Sequence, residues 1–124
     1  MTELLFKNES YEIIGACMKI HSALGCGYKE AIYQDALEVE LINRKIAFTK
    51  EKKYEVIYEG ITLNHHFIAD FVVFGNIIVE LKSTKEIINP FIAQTINYLK
   101  ASGLKLGLII NFGTPSLQTK RIVF

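Results

Sequence analysis

Cysteine is scarce, neither sign of charge is in excess, and no long apolar run interrupts these 124 residues. The two cysteines, Cys17 and Cys26, make neither a zinc pattern nor a disulfide framework. Two unpaired thiols suit a reducing compartment, so a cytoplasmic location is expected. Fourteen Lys and Arg against thirteen Asp and Glu leave a net charge of +1. No large basic field follows, and tight non-specific nucleic-acid binding is not expected from charge, although a local basic rim remains open. No stretch reaches the ~18 apolar residues of a membrane span. The opening MTELLFKNES lacks the basic head and apolar core of a signal peptide, so no membrane partner is expected. There is no internal repeat, low-complexity tract or linker, and the length suits one domain over residues 1–124.

What is present is a hydrophobic hairpin with charges set into it. His66 to Ser83 reads HFIADFVVFGNIIVELKS. Phe67 to Val73 and Ile77 to Leu81 are rich in β-branched and aromatic residues and predict two strands. Phe74-Gly75-Asn76 predicts a three-residue loop in which Gly or Asn takes positive φ. If Gly75 centres that loop, Val73 faces Ile77 and Asp70 faces Glu80. Directly opposed residues have Cβ atoms roughly 4.5–5.5 Å apart. Two carboxylates that close repel unless a proton or a cation lies between them. Lys82, two residues beyond Glu80, projects from the same strand face. Charges also blunt sheet edges, but a run apolar on both faces suits a central strand pair better.

Around this hairpin the chain alternates in type. Ser10 is placed as cap of a first helix from about Tyr11 to Ala23, ended by Gly25 and Gly27. His21 falls in its last turn, where a histidine favours the negative end of the helix dipole. A second helix is expected from about Tyr28 to Arg44, with Ile32, Ala36, Val39 and Asn43 on one face and Tyr33, Leu37, Glu40 and Leu41 beside it. Glu30 in its first turn either favours the positive helix end or is brought by the Gly-rich turn to another element. KKYEVIYEGITLNHHFIADFVV reads as two strands joined at Glu59-Gly60, the second running into the hairpin. Lys50, Lys52 and Lys53 read as a solvated face. His65 and His66 are strand neighbours that point to opposite faces and do not chelate one ion together. Asn89-Pro90 opens a third helix, Asn as cap, that stops at Gly103. Gln94 and Tyr98 share one of its faces. Leu106 to Phe112 predicts a buried strand parallel to the Ile77 strand, and Arg121 to Phe124 a short last one.

Gly27-Tyr28-Lys29-Glu30-Ala31-Ile32-Tyr33 has the form G-x-x-E-x-x-Y, and IADFVVFGNIIVELKS, QTINYLKASGLKLGLIINF and KRIV follow it. In that order, from about Tyr11 to Phe124, the chain resembles the bacterial and archaeal GxxExxY proteins of the PD-(D/E)xK nuclease-like superfamily. The resemblance implies an α/β fold with a restriction-endonuclease-like core: a mixed four-stranded sheet, three strands in a meander and a fourth parallel after a crossover helix, with N-terminal helices packed on it. It implies a metal-dependent nuclease acting on nucleic acid, DNA more than RNA, or else a binding module that keeps the fold without turnover. Asp70 resembles the metal-binding Asp of the second core strand, and Glu80 and Lys82 the E-x-K of the third. The Leu81 carbonyl is then a third ligand to Mg²⁺ or Mn²⁺. Glu30 corresponds to the acidic residue of the first core helix, able to hold a metal-bound water or a second ion. Gln94 corresponds to a polar residue near such sites. His21 stands at a recurrent family position. Family members often carry His where this chain has Phe91. The small size and near-neutral charge fit a chain that borrows affinity from a homodimer or a partner protein.

Overall fold

The computed structural model describes residues 4–124, so the first three residues of the expected 1–124 domain lie outside it. Helices α1 (Lys7–Leu24) and α2 (Glu30–Asn43) come first. Strands β1 (Phe48–Tyr58), β2 (Ile61–Val73) and β3 (Ile77–Lys82) follow, then α3 (Asn89–Ser102), β4 (Leu106–Asn111) and β5 (Gln118–Val123). The sheet has five strands in the order β1-β2-β3-β4-β5, one more than the four expected. The extra member is the C-terminal segment, which begins at Gln118 and runs antiparallel to β4. Polar residues through Arg121 hid its first half, because an edge strand needs no apolar run. The meander and the parallel β3–β4 pair across α3 are as expected.

Two apolar layers sandwich the sheet. Ile13, Cys17, Tyr33, Leu37 and Leu41 of α1 and α2 pack on one face with Phe71, Val79 and Leu81. Leu99 of α3 packs on the other with Ala69, Val72, Ile78 and Ile109. The buried side of α2 is thus the stripe placed beside the expected face. Ile32 and Val39 are 43% and 58% exposed. Both stripes are apolar, and only contact with α1 and the sheet selects between them. Glu40 is buried on the chosen side because Arg44 and Lys19 pair with its carboxylate.

Two helix caps differ from the sequence expectation. Helix α1 begins at Lys7, with Phe6 as its cap residue, so Ser10 lies inside it. Ser10 donates its hydroxyl to the Lys7 carbonyl and accepts from Arg121. Ile88, not Asn89, has the extended backbone ahead of α3, and the proline follows in the first turn. In the β2–β3 loop Gly75 takes the positive φ expected of Gly or Asn, Phe74 takes it as well, and the Asn76 side-chain amide donates to the Phe74 carbonyl.

The strand pair β1–β2 changes face in mid-course. Phe71 and Val73 pack on the α1/α2 side, whereas Ala69, two residues from Phe71, packs on the α3 side. Strict alternation would keep all three together. The break falls at Asp70, opposite Glu51, whose φ is 54°. Beyond it β1 and β2 leave the body of the sheet as a two-stranded arm that turns at Glu59-Gly60.

Candidate active site

Asp70 sits where β2 and β3 part. The register is the expected one, with Val73 opposite Ile77, Val72 opposite Ile78 and Phe71 opposite Val79, and the paired ladder stops there. Side chains bridge the gap that follows. The Asp70 backbone N–H donates to Glu80 Oε2 at 2.7 Å. The Leu81 N–H donates to Asp70 Oδ2 at 2.8 Å. Each carboxylate therefore replaces a strand carbonyl, and the two face each other across the opening. Backbone groups alternate in direction along a strand. Since the Lys82 carbonyl accepts from Phe112, just past the end of β4, the Leu81 carbonyl is turned to the opposite side, toward Asp70.

Burial and proximity set the protonation of this pair. Glu80 is 3% exposed. Burial first, then the Asp70 charge, pushes its carboxyl up to about 8, against the opposing Asp70 N–H and Lys82. Burial also raises Asp70, opposed by the Leu81 amide, Lys82, Glu80 and Gln34. Both carboxyls are thus pushed toward the protonated form, and a proton held between them would relieve the repulsion as a bound cation does.

The neighbours come from both faces of the sheet. Glu30 opens α2, and its carboxyl is raised by burial and by the Asp70 charge, with Lys82 opposing. It lies within the field of the pair. Gln34, one turn further on the same helix, acts on Asp70 by opposing the rise of its carboxyl. Lys82 Nζ donates to Gln94 Oε1 of α3 at 3.2 Å and stands 4.4 Å from the centre of the Phe91 ring. Phe91 thus supplies a ring face to the lysine. Tyr98, one turn beyond Gln94, has its hydroxyl pushed up to about 12 by burial and by the charges of Glu80 and Asp70. Gln34 and Tyr98 both went unassigned from sequence. Their signal was the four-residue spacing to Glu30 and Gln94, which stacks each on an assigned residue.

The other motif residues frame the site. Tyr33 donates to the Gly25 carbonyl at 2.6 Å, accepts from the Tyr28 N–H, and stacks on Phe112 at 4.4 Å between centroids. It fixes the glycine turn that presents Glu30. Ser83 donates to the Tyr28 carbonyl, tying the same turn to the end of β3. His21 lies apart, its Nε2 2.9 Å from the Thr114 carbonyl, linking the end of α1 to the β4–β5 loop.

Among the described residues no group of three or more His, Cys, Asp or Glu side chains is close enough to hold a metal ion. The donor set here is two carboxylates and a strand carbonyl, all hard oxygens, with room on the carboxylates for more than their one amide bond each. That set fits Mg²⁺ or Mn²⁺, which retain several waters. Glu30 stands outside it as a direct third carboxylate.

The crystal structure of SSO0001 superposes with a TM-score of 0.62 at 18% identity, covering 95% of this chain and 59% of that one. The chain therefore spans about three-fifths of that protein's length. An alkaline exonuclease from Laribacter hongkongensis, LHK-Exo, gives a TM-score of 0.46 at 12% identity, covering 99% and 72%. No curated protein matches the chain. The family model described as PD-(D/E)XK nuclease superfamily matches residues 7–122. With nearly its whole length matched, the chain belongs to the PD-(D/E)XK nuclease superfamily.

Proposed function

We propose that this chain is a metal-dependent nuclease that hydrolyses phosphodiester bonds, with DNA ahead of RNA as substrate, acting in the cytoplasm as one domain over residues 1–124. The observation that carries the reading is the crossed pair of bonds between Asp70 and β3 and between Glu80 and β2, beside Lys82. It holds two buried carboxylates close enough for the charge of one to raise the other, an arrangement that favours a functional over a structural role. Asp70, Glu80 and the Leu81 carbonyl would hold Mg²⁺ or Mn²⁺, which when bound polarises a phosphodiester and acidifies water. Lys82, held by Gln94 and Phe91, offsets charge on the reacting phosphate. Glu30 orients the attacking water. In the reaction the water oxygen bonds to phosphorus, the bond from phosphorus to the leaving sugar oxygen breaks, and a proton passes from the water to the leaving oxygen by way of solvent. The thiols of Cys17 and Cys26 are unpaired, which supports the reducing location.

One observation favours a second reading, a binding module without turnover. Phe91 occupies the place where relatives often carry His, and it engages Lys82 in the resting chain. A cleavage panel separates the two. Single-stranded, duplex, flapped and branched DNA, with RNA counterparts, are incubated with Mg²⁺ or Mn²⁺. Cleavage that Lys82→Ala reduces by about a hundredfold or more supports the nuclease. A folded wild type that cleaves nothing in the panel makes the binding module the better reading, with a second copy or a partner protein supplying the activity.

A further inference from the structure

Beyond the carboxylates, α3 and the β1–β2 arm enclose a second feature. A cavity of about 620 Å³ opens between Glu55, Ile57 and Phe67 of the arm and Asn97, Tyr98, Lys100 and Ala101 of α3. Its size falls in the roughly 300–1,000 Å³ range of ligand sites. Neither Asp70 nor Glu80 lines it, but Tyr98 belongs to both places: its hydroxyl feels their charges and its ring forms part of the cavity wall. That wall is rigid. Tyr98 stacks on Phe67 at 4.0 Å and 3° between planes, and Phe67 stacks on Tyr54 at 5.2 Å. The face change at Asp70 makes this possible, since it turns Phe67 toward α3.

We infer that this cavity takes an unpaired base of the substrate strand, next to the phosphate held at Asp70 and Glu80. The inference rests on the nuclease reading and names the form of the substrate: a single strand, or a frayed end, in place of an intact duplex. The walls carry groups that a nucleotide can use, and the one carboxylate among them, Glu55, is paired with Lys53 at 3.1 Å. Flat aromatic and aliphatic groups accept a base of any sequence. The exposed Asn97 amide both donates and accepts, as a base edge does. The exposed Lys100 at the rim meets the phosphate that a base carries with it. A buried base pair presents its edges to its partner and its faces to its neighbours, so an intact duplex cannot enter.

The test measures binding in EDTA, where no metal-assisted cleavage occurs. A fluorescein-labelled oligo(dT) is titrated with the full chain, against an oligonucleotide of equal length made of abasic units and against a duplex. The abasic strand and the duplex should each bind about tenfold or more weaker than oligo(dT). Ala101→Leu fills the cavity from an exposed helix position, so the fold is retained. It should weaken oligo(dT) binding about tenfold and leave the abasic strand unchanged. Equal affinity for base-bearing and abasic strands, or no effect of Ala101→Leu, overturns the inference. So does a duplex that binds as tightly as the single strand. The two readings fail separately. Base-dependent binding without cleavage in Mg²⁺ removes the nuclease and keeps the base site, whereas cleavage with base-independent binding removes only the base site.

Discussion

Burial and the Asp70 charge push the Glu80 carboxyl up to about 8 in the fold, while in an unfolded chain it returns to the ordinary 4.5. The folded state therefore binds more protons through this interval, and metal-free stability is full below the unfolded value and falls as pH rises toward 8. Asp70 and Glu30, also raised, add in the same direction. Glu80→Gln removes the titrating group and keeps a side chain that can accept from the Asp70 N–H. Urea unfolding in EDTA at about pH 5 and about pH 8.5 should show the wild type losing a few kcal/mol, and Glu80→Gln much less. Parallel losses in the two proteins would contradict the shared proton. Tyr33 makes a second residue-scale case. Tyr33→Phe keeps the ring on Phe112 but leaves the Gly25 carbonyl without its donor. It should cost about 1 kcal/mol of stability in denaturant titration. It should also lower cleavage more than a stability loss of that size explains, because the turn presenting Glu30 is loosened.

At the scale of elements, α3 and the β3–α3 loop are held by close approach to β4. A Cβ added at Gly107 would lie 2.5 Å from Thr95 Cγ2, so α3 rests directly on the strand backbone there. Gly107→Ala should cost about 1–3 kcal/mol. Thr95→Ser in the same chain deletes the obstructing methyl and keeps the hydroxyl bond to the Phe91 carbonyl, so most of the loss should return in a double-mutant cycle. Gly113 is tighter: an added Cβ would meet the backbone of Ser83 and Thr84, which Asn111 clamps through the Thr84 N–H and carbonyl. Backbone cannot step aside as a methyl can, so Gly113→Ala should cost more than Gly107→Ala and should gain nothing from Thr95→Ser. The β2–β3 register was legible because a short loop and an apolar hairpin leave one pairing, and that pairing put Asp70 opposite Glu80. The rest was hidden for physical reasons. A positive φ at Glu51 has no residue signal, so the change of face at Asp70 could not be read. Two apolar stripes on α2 left its buried side to tertiary contact. Gln34 and Tyr98 look like solvent-facing helix residues until the helix spacing is carried past the motif residues.

For the whole molecule, the sheet brings together what the helices carry on opposite faces. Glu30 and Gln34 arrive from the α2 side, Gln94 and Tyr98 from the α3 side, and Asp70 occupies the gap between strands where the two sides meet. Among the described residues no helix is long and apolar enough to cross a membrane. Glu30, Asp70, Glu80 and Lys82 sum to −2 when all are ionised, so the metal-free site opposes its own fold where the Asp70–Glu80 pair has lost its proton, and an ion that binds only the folded state raises stability by RT ln(1 + [L]/Kd). The most direct measurement is the melting temperature in EDTA and in about 10 mM Mg²⁺ or Mn²⁺, for wild type, Asp70→Asn and Lys82→Ala. Metal at a hundredfold above Kd should stabilise the wild type by about 2.7 kcal/mol, a rise on the order of 10 °C for a domain of this size. Lys82→Ala should keep that rise from a lower metal-free starting point, and Asp70→Asn should lose it while its metal-free stability holds or increases. A wild type that melts at the same temperature with and without the ion, or an Asp70→Asn that keeps the full rise, would contradict a metal held by Asp70 and Glu80.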